Sequence, residues 1–335
     1  TLRSSSAASD VYKRQHINGV DISMYRNTQK FSFHKDISIS GFQTLDVDQR
    51  YIDYSHSESV TEDSYPSVIL SHQILTLNAK LSGNQKTIGS LLKIRNFQSQ
   101  EFYWTPDCKE ISISLYGLSE KNIRNYTLQS SFRLENNSIV PDVGSEYFYA
   151  NLDINQINDR NFLLFSAAVA LITVRDNWEL SLGSMFTSRA PSIEDLYSDG
   201  PHLGVYNYEI GLPELESERT YGLEGSLGYN DQKTKLKITS YQNYSPNYHL
   251  SKKMGEGYEP GADWIEWGSG SAGWLYMYQM DGLEVYIHGY ETEFQYKLNK
   301  LIDLEGSFSA TRGENLTDNS PLYYAVSYTH LTLPT

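Results

Sequence analysis

The chain has 335 residues, a formal net charge of −14, and 27 Tyr against 12 Phe. An acidic chain whose Lys and Arg residues are scattered does not favour a nucleic-acid partner. Cys108 is the only cysteine, which excludes a disulfide framework and any Cys-based metal motif. The longest apolar run, at 162–172, is shorter than the ~18 residues that a membrane-spanning helix needs.

The two ends of the chain can be back-translated against each other. One codon choice for 5–15 has a reverse complement that reads, in a shifted frame, as residues 326–335. An inverted DNA repeat of this kind is typical of a sequencing-library transposon adapter that has been translated through. We therefore expect 1–15 and 326–335 to be adapter-derived, which leaves 16–325 as the native segment, open at both ends.

Apolar and polar residues alternate along most of the chain. In "NYTLQSSFRLE", Phe132 and Leu134 point to one side, and Arg133 and Glu135 point to the other. This period of two is typical of a strand with one apolar and one polar face. The sequence therefore predicts an all-β chain, with strands at 31–42, 45–56, 66–80, 86–98, 110–120, 124–136, 146–156, 161–174, 177–188, 218–230, 234–249, 280–298 and 301–312.

The predicted connections alternate in length. Tight turns at 175–177, 230–233 and 298–300 are separated by long polar excursions at 188–217 and 250–279. Short turns at one end and long loops at the other are typical of an outer-membrane barrel. Strands of about ten residues or more also suit a tilted membrane crossing.

Aromatic residues gather near the predicted strand ends. Trp178 and Phe186 border one strand, Tyr221 and Tyr229 border the next, and Tyr244 follows on a third. Such positions are typical of the aromatic girdles of a membrane barrel. The Tyr-rich edge of a soluble β-sandwich gives the same pattern, so a soluble β-rich binding protein is an alternative at this point.

The most distinctive motif lies between residues 188 and 220. Arg189-Ala190-Pro191 is followed by Gly200-Pro201-His202, and then by the spaced residues Tyr208, Glu209, Gly211, Pro213, Leu215 and Glu218. This succession resembles the TonB-dependent outer-membrane receptors. Segments within 45–135 are similar to the branch of that family associated with zinc or haem uptake.

The resemblance implies an antiparallel transmembrane β-barrel of about 22 strands around a plug. About 12–13 strands are present here, so we expect an incomplete barrel whose plug domain is absent. The resemblance also implies the outer membrane of a Gram-negative bacterium, contact with its lipid, and energy from a TonB–ExbB–ExbD complex acting through the plug. No cofactor is expected, and the transported ligand would be zinc, haem or an iron-siderophore.

The alternative of a different class is a passive porin or adhesin barrel without energised transport. An enzyme is not predicted, because the sequence contains no nucleophile–base constellation, no Gly-rich phosphate loop and no HExxH motif.

Three groups of candidate site residues follow from these patterns. A ligand-binding loop surface would consist of Arg189, His202, Tyr208, Glu209, Trp264, Trp267 and Trp274. Candidate metal ligands are His56, Glu58 and His202, because imidazole and carboxylate bind zinc. Lumen-facing residues would be Arg133, Glu224, Glu291 and Glu293. The plainer interpretations are solvated His–carboxylate pairs, interfacial Trp anchors, and an Arg189 that pairs with a loop carboxylate.

Overall fold

The computed structural model describes residues 20–60, 68–101, 105–144, 151–202, 207–254, 264–266, 274–322 and 329–330. Its strands are β1 (Val20–Ile39), β2 (Phe42–Val60), β3 (Val68–Ser82), β4 (Lys86–Glu101), β5 (Asp107–Ile123), β6 (Tyr126–Asp142), β7 (Arg160–Arg175), β8 (Trp178–Arg189), β9 (Asp199–His202), β10 (Asn207–Ile210), β11 (Glu218–Asn230), β12 (Thr234–Lys253), β13 (Trp264–Glu266), β14 (Trp274–Lys297), β15 (Asp303–Asn315), β16 (Ser320–Pro321) and β17 (Thr329–His330). Within these ranges the helices are α1 (Ile193–Tyr197) and a 3₁₀ turn at Ile154–Gln156. None of the helices in this described part has the length and apolarity of a membrane-crossing helix.

Twelve long strands form one antiparallel wall. Its order is β1 to β8 in sequence, then β11, β12, β14 and β15. The all-β prediction is confirmed. No pairing joins β1 to β15, β16 or β17 within the described ranges, so the sheet is not closed there. This agrees with the predicted incomplete barrel.

The connections alternate as the sequence predicts. Tight turns lie at one end of the wall, here called the lower end, and long connections lie at the other, the upper end. Several lower turns use left-handed backbone, with positive φ at Gly41, Arg124 and Asp176. Two-residue reversals of this kind match the twist of the flanking strands. The short-turn and long-loop ends of a membrane barrel are therefore both present.

The pairing register defines the two faces of the wall, because directly opposed residues point to the same side. The outer face carries apolar side chains such as Leu182 and Leu223, which are 57% and 60% exposed. Near the upper end, an aromatic row runs across this face. The ring centroids of Phe165 and Phe186 are 6.3 Å apart, those of Phe186 and Tyr221 are 5.0 Å apart, and those of Tyr221 and Tyr244 are 6.4 Å apart.

A second aromatic pair lies near the lower end of the outer face, where the rings of Trp178 and Tyr229 are 4.8 Å apart. Tyr221 and Tyr229 are eight residues apart on β11, which is about 27 Å along a strand. A strand tilt of about 40° reduces this to roughly 20 Å, close to the apolar band of an outer-membrane barrel. The predicted girdles are thus in place, with apolar side chains between them.

The opposite face, here called the inner face, carries the main buried cluster. Side chains from β3 to β7 pack there against the connection between β8 and β11. The cluster consists of Val68, Leu70, Phe97, Cys108, Ile139, Ile157, Phe162, Leu164, Ile193, Leu196, Tyr197 and Leu215. This core is built from one sheet and two connections, because Ile157 belongs to the connection between β6 and β7. It contains no second sheet within the described residues, which argues against the soluble sandwich.

The strand predicted at 146–156 is wrong over the part that the structure describes. Residues 145–150 lie outside the described residues, and Ile154–Gln156 form a 3₁₀ turn. The side chain of Asp153 accepts hydrogen bonds from the backbone N–H and the side-chain amide of Asn155, at 3.0 and 2.8 Å. Local side-chain bonds of this kind compete with a strand ladder. Elsewhere several strands extend further at the upper end than predicted, as β14 does by beginning at Trp274.

The short strand β17 lies in the segment that we expect to be adapter-derived. Its two residues pair with Ser307 and Phe308 of β15. The origin of that segment, and of 1–15, stays a prediction.

Candidate functional site

Residues 190–217, which connect β8 to β11 and are here called the inner loop, begin with the helix α1. Ser192 caps it with a reciprocal pair of bonds: the Asp195 backbone N–H donates to the Ser192 hydroxyl at 3.0 Å, and the Ser192 N–H donates to the Asp195 carboxylate at 2.9 Å. A capping box satisfies two N–H groups that would otherwise lack partners. Ile193, Leu196 and Tyr197 are fully buried, so this short helix is held by packing as well as by its cap.

Arg95 on β4 fixes α1 to the wall. Its Nη2 lies 2.7 Å from Oε1 of Glu194, and its Nε donates to Nδ1 of His72 at 3.0 Å. Burial alone would raise the pKa of Glu194, but the charge of Arg95, a backbone hydrogen bond at Glu194 and the hydrogen bond from Arg95 hold that pKa below its ordinary value. The contact is therefore a charged one at neutral pH.

Asp199 holds the next part of the inner loop. Its carboxylate accepts hydrogen bonds from the backbone N–H groups of Asn151 and Leu152 at 2.8 and 2.9 Å, and from the side-chain amide of Asn151 at 2.9 Å. The Tyr208 hydroxyl donates to the same carboxylate at 2.8 Å. Asp199 and Tyr208 are both buried, so this network joins two connections inside the protein.

The strands β9 and β10 form a small hairpin that reaches across the upper end. β10 pairs in parallel with β14, from Asn207 opposite Tyr276 to Ile210 opposite Gln279. On its other side, the hairpin contacts β2 through His202 and Glu58. β2 and β14 lie far apart in the wall, so the wall curls enough for one hairpin to contact both.

This contact brings His56 and Glu58 of β2 together with His202 and Glu209 of the hairpin, which the sequence analysis selected separately. Oε1 of Glu58 lies 3.8 Å from Nε2 of His56 and 3.6 Å from Nε2 of His202. Nδ1 of His202 lies 2.9 Å from Oε1 of Glu209, and Nδ1 of His56 lies 3.2 Å from the Tyr54 hydroxyl. Glu58 is buried. We name these five residues the His–Glu cluster.

The electrostatics of His202 follow from these neighbours. Burial favours the neutral ring, but the hydrogen bond with Glu209 and the charges of Glu209 and Glu58 raise the pKa of His202. In the described part of the chain, no group of three or more His, Cys, Asp or Glu side chains is arranged to hold a metal ion as it stands. The predicted metal ligands His56, Glu58 and His202 are therefore neighbours without being a finished site.

The remaining motif residues hold the inner loop in place. Gly211 passes so close to α1 that a Cβ would lie 2.6 Å from the Leu196 carbonyl oxygen. Arg160 donates to the backbone carbonyls of Pro213 and Leu215, the latter at 2.9 Å. Only glycine fits at position 211 without displacing α1, and the two bonds from Arg160 fix the path of the chain at Pro213 and Leu215.

Arg189 and Tyr208, which were also predicted to contact the ligand, have partners inside the protein as His202 and Glu209 do. Nη2 of Arg189 lies 2.8 Å from Oε2 of Glu218, which is the plainer interpretation given above, and Tyr208 is buried on Asp199. Ligand contact by either stays a prediction. Trp264 and Trp274 lie on β13 and β14, whose backbones pair, and Trp267 lies outside the described residues.

The four predicted lumen residues share the inner face. The register connects Arg133 through Ser166 and the β7–β8 pairing to Gly183, which lies opposite Glu224. Glu291 and Glu293 pair with Thr239 and Lys237 of β12 on the same side. All four are exposed. A role in facing a plug stays a prediction.

Sequence reasoning missed the residues that anchor the inner loop. Arg95, Arg160 and Asp199 were not selected, although each contacts a segment that is distant in the chain. Arg95 lies on the polar face of a predicted strand, where a charged side chain is ordinary and does not indicate a contact with a distant segment. The capping pair of α1, Ser192 and Asp195, lies only three residues apart, so its signal is local.

A wall of long antiparallel strands, an apolar outer face between aromatic girdles and an upper end filled by a folded connection define a class, the outer-membrane β-barrel. The family model for the TonB dependent receptor-like β-barrel matches residues 3–334. The chain belongs to this family, whose members lie in the outer membrane of Gram-negative bacteria.

Solved structures of receptors and transporters share the fold. The copper transporter OprC superposes with a TM-score of 0.67 at 16% identity, over 91% of this chain and 49% of that one. A double mutant of the Serratia marcescens hemophore receptor HasR, in complex with its hemophore HasA and heme, gives 0.60 at 12% identity, over 94% and 55%. The siderophore receptor PirA from Pseudomonas aeruginosa gives 0.60 at 12% identity, over 88% and 51%. The chain thus spans about half the length of these proteins, and identities this low show the fold alone.

Proposed function

We propose that this chain is part of an outer-membrane receptor that binds an extracellular nutrient and imports it with energy from a TonB–ExbB–ExbD complex. The nutrient would be a metal ion, a metal chelate or haem. The observation that carries the proposal is the inner loop, which folds onto the inner face and presents the His–Glu cluster at the upper end. Membership of the family supports the energised mechanism.

The anchored parts of the inner loop suit a receptor better than an open channel. A connection that is fixed by Arg95, Asp199 and Arg160 narrows the upper end and holds polar groups in defined positions. Rigid support of this kind keeps a binding geometry in place. Solvent would then reach the lower inner face only past the ligand-binding region, and a separate plug would control passage below it.

In this proposal the three predicted groups have distinct roles. The His–Glu cluster and the Trp residues of 264–274 contact the ligand. Arg133, Glu224, Glu291 and Glu293 face the plug, which contacts the energy-transducing complex. Aromatic side chains on a loop suit an organic chelate or haem, whereas imidazole and carboxylate suit a metal ion.

Uptake by living cells tests the proposal. A strain that relies on this receptor would be given radiolabelled zinc, a ferric siderophore or haem, with the TonB complex intact, deleted, or de-energised by a protonophore. We expect accumulation of one of the three nutrients, and its loss in both of the other conditions.

Uptake that continues without TonB and without a proton gradient would contradict the proposal and favour the passive porin. Variants that remove the inner loop separate the two outcomes further. Deleting 193–210 should abolish uptake by a receptor, whereas the same deletion should increase diffusion through a porin.

A further inference from the structure

One like-charged pair lies on the inner face of the wall, between β1 and β2. Lys30 of β1 is directly opposite Arg50 of β2. Arg50 points to the same side as Glu58, because an even number of residues separates them on one strand. Like charges in directly opposed positions destabilise a sheet. Strand pairing alone therefore does not explain why both positions carry a cation.

Several cations elsewhere in the wall are directly opposed by acidic residues. Such pairs are Arg95 with Glu110, Lys80 with Asp46, Arg189 with Glu218, and Lys237 with Glu293. Among the strand pairings that the structure describes, Lys30 with Arg50 is the one pair in which two Lys or Arg side chains are directly opposed. The repulsion at this position is thus an exception in the wall.

The acidic residue beside this pair neutralises it only in part. Nζ of Lys30 lies 3.9 Å from Oδ1 of Asp48, and the side chains are 58% and 41% exposed. The same oxygen accepts a hydrogen bond from the Ser32 hydroxyl at 2.6 Å. A long contact between exposed groups is a weak ion pair. Arg50 is exposed, and within the described residues its side chain forms no ion pair.

A third cation extends the charge toward the upper end. Arg26 lies four residues before Lys30 on the same face of β1, opposite Tyr54, and is exposed. We name Arg26, Lys30 and Arg50 the basic patch. Three cations and the one carboxylate of Asp48 leave this part of the inner face with a net charge of +2. Such a concentration of one sign attracts an anion.

The basic patch lies in the part of the lumen that opens to the outside. Arg50 is eight residues from Phe42, at the lower turn of β2, which is about 27 Å along the strand. A tilt of about 40° reduces this to roughly 20 Å, near the top of an apolar band about 25 Å tall. Arg26 lies higher still, between the like-charged pair and the His–Glu cluster.

We propose that Arg26, Lys30 and Arg50 bind the carboxylate groups of the transported nutrient. This inference rests on the proposed function and makes it more specific, because it selects a carboxylate-bearing chelate or haem over a bare metal cation. The planar fork of a guanidinium matches a carboxylate in a bidentate manner, and the ammonium of Lys30 adds a point charge.

The repulsion between Lys30 and Arg50 contributes to the selectivity for an anion. In the empty receptor the two cations destabilise each other. A bound carboxylate lies between them and replaces this repulsion by two attractions. A neutral or cationic molecule leaves the repulsion in place, so the difference in affinity between an anion and a neutral analogue is enlarged.

Titration calorimetry with citrate on the intact receptor, purified in detergent at low ionic strength, tests the inference. The wild type should bind one citrate. R50Q, K30Q and R26Q should each weaken binding by about 10-fold or more, as expected for the loss of a charged hydrogen bond. R50K keeps the charge without the fork and should weaken binding less than R50Q does.

The matched control is K80Q. Lys80 lies on the same inner face, but its Nζ is 3.6 Å from Oδ2 of Asp46, so its charge is already paired. K80Q should bind citrate within about twofold of the wild type. Added salt should weaken citrate binding by the wild type, because the attraction between exposed charges is screened.

Stability without citrate gives a second readout, which a structural role would move in the opposite direction. K30Q and R50Q each remove a repulsion, so the urea midpoint of unfolding in lipid vesicles should rise in both at low ionic strength. High salt should reduce the difference from the wild type. A variant that fails to fold is recognised in the same measurement.

The possible results separate this inference from the proposed function. Citrate binding that is absent in the wild type, or unchanged in K30Q and R50Q, would overturn the carboxylate site. Lower unfolding midpoints of both variants would also overturn it and would assign the basic patch to an acidic segment of the protein.

Uptake by cells gives the remaining distinction. TonB-dependent uptake of Zn²⁺ at equal rates by the wild type and R50Q would leave the proposed function intact and contradict the carboxylate-bearing nutrient. TonB-dependent uptake of haem or a ferric siderophore, with a half-saturating concentration about 10-fold higher in R50Q, would support both. Citrate binding that the substitutions abolish, without any TonB-dependent uptake, would support the anion site and contradict the transport function.

Discussion

On the inner face of the wall, the upper half is covered by the inner loop, whereas the lower half is open. Two apolar residues on the inner face of neighbouring strands show the difference. Ile139 of β6, near the upper end, is 1% exposed, and Leu118 of β5, near the lower end, is 53% exposed. The strand pattern is the same in both halves, so burial on this face comes from the connection that folds onto it and not from the strands themselves.

The largest effect should come from the centre of the covered half. Leu196→Ala removes a fully buried side chain of α1 and should lower the free energy of unfolding by about 2–5 kcal/mol. Leu118→Ala on the open half removes a half-exposed leucine and should change it by no more than about 0.5 kcal/mol. Urea unfolding of the receptor in lipid vesicles, followed by tryptophan fluorescence, measures both. Equal losses would mean that the inner loop does not pack on the wall.

A charge placed on the outer face distinguishes lipid from lumen. Leu182 lies opposite Gly225, midway between the two aromatic girdles, and Leu182→Arg should destabilise the barrel by about 2–4 kcal/mol in a bilayer. Glu224→Arg lies at the same depth on the inner face and is exposed, so it should change the stability by no more than about 0.5 kcal/mol.

The same unfolding measurement compares these two variants, and it tests the predicted lumen position of Glu224 directly. A large loss for Glu224→Arg together with a small one for Leu182→Arg would reverse the two faces. The interpretation of Arg133, Glu291 and Glu293 would then be wrong as well.

Arg95 and Arg133 form the next comparison, because both pair with a glutamate on the inner face. The Arg95 side chain is 13% exposed and holds Glu194 of the inner loop, whereas Arg133 is 44% exposed and pairs with Glu135 on its own strand. Arg95→Met should cost about 1–3 kcal/mol, below the range for fully buried pairs because Glu194 is partly exposed. Arg133→Met should cost about 0–1 kcal/mol.

A double-mutant cycle with Glu194→Gln isolates the Arg95 contact from its other partners. The lowered pKa of Glu194 gives an independent check by pH. A carboxylate whose folded pKa is depressed stabilises the fold above its ordinary value and loses this contribution as the pH falls through the folded value. The protection factors of the backbone N–H groups of 193–197, which correct for the intrinsic pH dependence of exchange, should therefore fall on acidification below about pH 4.5 in the wild type, and much less in Glu194→Gln. A pH response that is equal in the two proteins would remove Glu194 as the cause.

The strands of the wall are predicted well from the sequence, because the residues that indicate each strand and each turn lie close together in the chain. Alternation at Phe132 and Leu134 against Arg133 and Glu135 indicates the strand and its two faces, and the turn residues at 175–177 and 230–233 locate the reversals. At 146–156 the same reasoning fails where Asp153 and Asn155 bond locally. A short polar side chain can stop a ladder without disturbing the apolar pattern.

The site was only partly predictable from the sequence. Each of its two residue pairs lies within a short segment of the chain, but the contact between the pairs joins distant segments. His56 with Glu58 and His202 with Glu209 could each be selected from sequence. The contact between His202 and Glu58 depends on the path of the inner loop, which leaves β8 and reaches both β2 and β14. Arg95 and Asp199 direct that crossing through contacts with distant segments, and no spacing in the chain indicates them.

The smallest predicted effect concerns the start of the inner loop. Ser192→Ala removes one half of the capping box and should cost about 1 kcal/mol, whereas Ser192→Thr keeps the hydroxyl and should cost much less. Hydrogen exchange at the backbone N–H of Asp195, which donates to Ser192, reports the local loss. Hydrogen exchange at the backbone N–H of Leu152, which donates to Asp199, measures how far the start of the loop is coupled to its next part. Because Asp199 and β10 anchor the hairpin independently of α1, the exchange rate at Leu152 should change by less than about threefold. A larger change would mean that α1 and the hairpin move together as one unit.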